Sequence, residues 1–94
     1  MDVKEAVTTA KQYVADLFSN EGVSNLGLEE VDYDEGEGVW NITLGFSRAW
    51  DNAPDGFASF AAQQLFATKR TYKIVRVKEQ GGKVLSVRNR ETIQ

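Results

Sequence analysis

Two groups of side chains carry enough charge to do chemistry. The first is the run VDYDEGEG at residues 31–38, which sets Asp32, Asp34, Glu35 and Glu37 close together. Carboxylates at alternate positions ligate calcium and magnesium, and carboxylate pairs serve as general acid and base. An EF-hand loop beginning at Asp32 needs glycine at its sixth position and glutamate at its twelfth, where this chain has Glu37 and Thr43. Acid–base work needs a cleft that raises one carboxyl pKa, and a glycine-rich turn faces water instead. The run reads as a solvated hairpin turn, so no metal ligands and no catalytic residues are assigned to it.

The second group is Tyr72, Arg76, Lys78, Arg88 and Arg90. Cations for phosphates and an aromatic ring for stacking are the ingredients of a nucleic-acid surface. One tyrosine is a thin platform, however, and a sequence pI near 4.9 repels a polyanion elsewhere on the molecule. Glu30 or Asp32 on a neighbouring strand can also neutralise the cations. Nucleic-acid binding through this basic face is therefore the alternative reading.

The chain has neither histidine nor cysteine, which removes disulfides, thiolate zinc sites, cysteine nucleophiles and imidazole chemistry. Its serines have no histidine or convincing lysine partner in sequence, and no glycine-rich segment matches a phosphate-binding or dinucleotide fingerprint. A protein without enzymatic activity and without a cofactor is expected. No apolar run approaches the ~20 residues of a membrane helix. The start MDVKEAV lacks the basic end and apolar stretch of a signal peptide, so the cytoplasm is the expected compartment.

Positioning these side chains falls to a chain of 94 residues, enough for one domain with a modest core. Residues 3–18 place Val3, Val7, Ala10, Val14, Leu17 and Phe18 on one stripe, with Asp2 as N-cap and Glu5 at capping-box spacing, which predicts an amphipathic helix. SNEG at 19–22 supplies its stop. Residues 26–34 and 39–48 flank EGEG as a hairpin, and Gly36 and Gly38 suit its turn. In the second arm Trp40, Ile42, Leu44 and Phe46 face a core, while Asn41, Thr43, Gly45 and Ser47 face away.

Residues 71–79 and 83–91 form a second hairpin across QGG, where Gly81 and Gly82 suit a tight turn. Val75, Val77, Leu85 and Val87 are its expected core residues. Tyr72, Arg76, Lys78, Ser86, Arg88 and Arg90 share the opposite face. Ile74 and Val84 break the alternation, and a bulge would re-aim part of a strand. The whole is α+β: an N-terminal helix on a curled four-stranded antiparallel sheet, with one sheet face buried and the other wet.

Between the hairpins lies AWDNAPDGFASFAAQQLFATKR, residues 49–70. Phe57, Phe60, Ala61, Gln64 and Leu65 approximate helical spacing, and Pro54 fits an early turn, so a short helix from about 56 to 68 is expected. About twenty residues is far longer than a simple hairpin needs, which marks a structured or functional insertion. Trp50, Phe57, Phe60, Leu65 and Phe66 either cap one end of the core or form a contact surface for a protein partner or a second copy in a homodimer.

Charge is split along the chain. Residues 1–55 hold twelve carboxylates against three cations and residues 56–94 two against eight, net charges of −9 and +6. If the halves fold together, cross-strand pairs of opposite charge follow.

The order of EAVTTAKQYV, VWNITLGF and TYKIVRVKEQGGKVLSV resembles the cystatin-like arrangement and the PepSY-type small bacterial domains, in which an antiparallel sheet grips one helix. The resemblance covers most of the chain at the level of layout and implies that fold. Cystatin inhibitors carry a QxVxG hairpin, whereas this hairpin reads DEGEGVW, so protease inhibition does not follow. A fainter likeness to the gas vesicle O family lies in the Trp-containing strand, the arginine after it, and the series Tyr72, Val75, Val77, Gly82, Ser86 and Arg88.

Overall fold

The structure, a computed structural model, describes residues 1–48 and 70–90. The first element is helix α1 (Val3–Leu17), capped at its start as its sequence dictates: the Asp2 carboxylate accepts a 2.8 Å hydrogen bond from the Glu5 N–H. A short 3-10 turn (Ser19–Glu21) follows and ends at Gly22 in the left-handed conformation. Four strands complete the described chain: β1 (Ser24–Asp34), β2 (Val39–Ser47), β3 (Thr71–Lys78) and β4 (Val84–Asn89). They form one antiparallel sheet in the order β1-β2-β3-β4, open at both edges.

The helix packs on one sheet face. Ala6, Ala10 and Val14, each four residues after the last, are fully buried against Ile42, Leu44, Phe46, Val75 and Val77. The small residues Ala6 and Ala10 let the helix approach the sheet closely, and Phe18 closes the far end with its ring 5.5 Å from that of Phe46. The expected stripe is thus rotated slightly. Val7 and Phe18 are half-buried, but Val3 and Leu17, at the two ends of the helix, are exposed because the core stops short of them.

Both edge strands are bulged. In β1 the register slips between Ser24 and Gly27 and again between Leu28 and Glu30. Asn25 adopts φ 56° in the first slip, a left-handed conformation that asparagine tolerates better than most residues. In β4 the register slips against Arg76 and Val77, so that Val84 pairs with Val77 and Leu85 is the extra residue. This corrects the expected core: Val84 and Val87 pack against it, whereas Leu85 is 44% exposed. Ile74 needs no bulge, since it shares parity with Tyr72 and Arg76 and lies on the outer face.

The turns of both hairpins meet at one end of the sheet. Gly81 and Gly82 take φ of 86° and 67° in the β3–β4 turn, while of Gly36 and Gly38 only Gly38 needs a positive φ. The Glu79 N–H donates to the Gly38 carbonyl at 2.9 Å, tying the two turns together. The Tyr33 hydroxyl donates to the Glu79 carboxylate across the same junction. That bond, then burial and the charges of Glu79, Glu35 and Asp34, raises the Tyr33 pKa above its ordinary value. Among the described residues no helix is long and apolar enough to cross a membrane.

Candidate functional site

The candidate site is the sheet face opposite the helix. Strand parity and register fix which side chains stand there, and they fall into rows across the strands. One row runs Asp32, Asn41, Arg76, Ser86, and the next runs Glu30, Thr43, Ile74, Arg88. Beyond them Gly27, Gly45 and Tyr72 align, and the Arg90 N–H, just past β4, donates to the Tyr72 carbonyl at 3.2 Å. Each of the two charged rows starts from acid on β1, crosses neutral groups on β2, and reaches cations on β3 or β4.

The predicted basic set is therefore brought together. Tyr72 and Arg76 stand on β3, Arg88 on β4, and the Arg90 guanidinium lies over the Tyr72 ring at 4.1 Å from its centroid. Lys78 lies at the exposed end of β3. Asn41, Ile74, Arg76, Ser86, Arg88, Asn89 and Arg90 line a shallow depression of about 450 Å³. A second one, of about 390 Å³, adjoins it on the acidic side and is lined by Glu30, Val31, Asp32, Asn41, Thr43 and Ile74.

Among the described residues acid and base meet at few points, and strand order explains which. Neutral β2 lies between β1 and β3, so their backbones are about 10 Å apart, two strand spacings. At Gly45 the intervening strand has no side chain, and Arg70, Glu29 and Tyr72 close over the gap. A Cβ placed on Gly45 would lie 2.9 Å from Arg70 Nη2, 3.0 Å from Glu29 Oε2 and 3.0 Å from Tyr72 Cε1. There Arg70 reaches Glu29 at 3.7 Å and also donates to the Asn25 carbonyl at 3.1 Å. Arg76 instead turns to Glu37 in the β1–β2 turn. Among the described residues no ion pair engages Glu30, Asp32, Lys78, Arg88 or Arg90.

Asp34 and Glu37 of the acidic run are spent on structure. The Asp34 carboxylate accepts from the Glu37 N–H at 3.2 Å, and its carbonyl accepts from the Gly38 N–H at 2.8 Å, closing the turn. The outer face is also less wet than the alternation implies. Thr43 is 4% and Ser47 3% exposed although both point away from the helix.

No local sequence signal joins Arg70 to Glu29, because only a β1 bulge and the neighbouring glycine bring them together. Ile74 was detectable from parity alone. The expected short helix and the proposed contact residues Trp50, Phe57, Phe60, Leu65 and Phe66 lie outside the described residues. No family model, curated protein or solved structure matches the chain.

Proposed function

We propose that this chain is a non-enzymatic protein-binding module whose contact segment is the insertion at residues 49–70, with Trp50, Phe57, Phe60, Leu65 and Phe66 as its apolar anchors. The observation that carries this reading is the pairing of Phe46 with Thr71. β2 and β3 are directly adjacent antiparallel strands, a connection that two to five residues normally make. The segment is thus not needed to reach β3, and it concentrates aromatic residues of the kind that anchor protein interfaces.

Replacing Phe57 and Phe60 together by serine tests the reading. Loss of partner capture with an unchanged circular dichroism spectrum supports it. Unfolding of the double variant would assign those rings to the core and remove its basis.

Nucleic-acid binding is the second reading, favoured by the shared face of Tyr72, Arg76 and Arg88. It is weaker because the Tyr72 ring is already covered by Arg90 and the Arg76 cation already meets Glu37. Fluorescence anisotropy with short single strands separates the two, since phosphate contacts weaken steeply as salt rises. No binding at low salt eliminates it.

A further inference from the structure

We propose that the outer sheet face docks on the same face of a second copy of this chain, about a two-fold axis that lies between the two sheets and runs parallel to the strands. Among the described residues the fold leaves some charges without an opposite. Glu29 has Arg70 and Glu37 has Arg76, whereas Glu30 and Asp32 on β1 and Arg88 and Arg90 at β4 are in no ion pair among the described residues. All four are exposed, and the two kinds stand on opposite edges of one sheet.

A single chain cannot bring these edges together across β2 and β3. Two copies can, and symmetry limits how. Of the two-fold axes that stack this face on itself, one perpendicular to the strands lays β1 on β1 and places carboxylates against carboxylates. An axis parallel to the strands lays β1 on the other copy's β4 and β2 on its β3. Each row then meets its own reverse. Glu30 faces Arg88, Asp32 faces the basic depression beside Ser86, and Asn41 faces Arg76, every contact occurring twice as an isologous interface requires. Packed sheets stand about 10 Å apart, a gap that a glutamate and an arginine reaching toward each other can span.

The edges themselves are poor docking sites. The bulges in β1 and β4, together with the exposed charges along both, oppose the addition of another strand. Four strands at ~4.8 Å spacing and about six residues at ~3.4 Å give a footprint of roughly 400 Å² per copy, about half that of a standard interface. The dimer is accordingly weak and depends on its charges.

The inference rests on β1 and β4 and not on the reading of residues 49–70. Sedimentation equilibrium over a concentration series tests it. The wild type should associate at low salt and dissociate as salt rises. Glu30→Arg alone and Arg88→Glu alone should each weaken association by at least about tenfold, because like charges then face each other. An equimolar mixture of the two variants should recover it. In the mixed dimer the charge reversed at position 30 of one chain meets the charge reversed at position 88 of the other, and the second copy of the contact keeps its native pair. Recovery also shows that both variants are folded. A milder set, Glu30→Gln and Arg88→Gln, should reduce the salt dependence.

A wild type still monomeric at ~0.5 mM in low salt, where even a millimolar dimer is visible, would overturn the proposal. So would single variants that associate like the wild type, or a mixture of folded variants that does not recover. The Phe57→Ser, Phe60→Ser variant should keep the salt-sensitive dimer, so the failure of either reading can be told from the failure of the other.

Discussion

The two faces of the sheet solve the same packing problem by opposite means. On the helix face, Ile42, Leu44, Phe46, Val75 and Val77 are fully buried under Ala6, Ala10 and Val14, and their fit excludes water without specific partners. On the outer face many side chains are charged, and β1 closes onto β3 where one residue is small enough to allow it, at Gly45. Strand order, more than net charge, therefore decides which charges are neutralised. An acidic and a basic strand separated by a neutral one stay apart unless the neutral strand yields space.

The contrast can be broken hardest from the helix face. Phe46→Ala empties a fully buried ring position that also packs against Phe18 and should cost about 3–5 kcal/mol, measured by denaturant unfolding. For a domain of this size that is a large share of the roughly 5–14 kcal/mol expected in total. Gly45→Val comes next. Its side chain would displace Tyr72, Glu29 and Arg70, with an expected loss of about 1–3 kcal/mol. The loss should shrink when the variant is combined with Glu29→Ala, which frees space; an unchanged loss would mean that Arg70 and the Tyr72 ring resist instead.

Tyr33→Phe probes the junction of the two turns through pH. The folded-state pKa of Tyr33 is raised, so its contribution is complete below the ordinary tyrosine pKa of ~10 and disappears as pH rises through the folded value. Melting temperatures of wild type and variant should differ at neutral pH and converge in strong alkali. Arg76→Ala, which removes an exposed ion pair with Glu37, should cost less than about 1 kcal/mol and lose even that at high salt. The smallest effect is expected at Leu85→Ser, within about 0.5 kcal/mol, whereas Val84→Ser should exceed it clearly.

That last pair shows how far the residues alone reach. Alternation in VWNITLGF was enough to place Trp40, Ile42, Leu44 and Phe46, and the capping signal at Asp2 and Glu5 located the helix start, because both are local periodic effects. The α+β order and the shared face of Tyr72, Arg76 and Arg88 followed in the same way. Leu85 was misplaced because a bulge shifts parity by one, and nothing local to VLSV tells which residue is extra. The closure over Gly45 was hidden for a different reason. It joins Glu29, Gly45 and Arg70 from three separate stretches, and only the register of β1 on β2 brings them together.

Whether the fold needs the contact segment at residues 49–70 is decided by removing that segment. Replacing residues 48–69 with Asn-Gly would join Ser47 to Arg70 through a two-residue hairpin, in register with the Phe46–Thr71 pair. The change also removes the part-buried ion pair of Arg48 with Glu21. A cooperative thermal transition, near-UV dichroism from Tyr33 and Trp40 that is lost on melting, and no partner capture are expected. A shortened chain that fails to fold would make the segment part of the core.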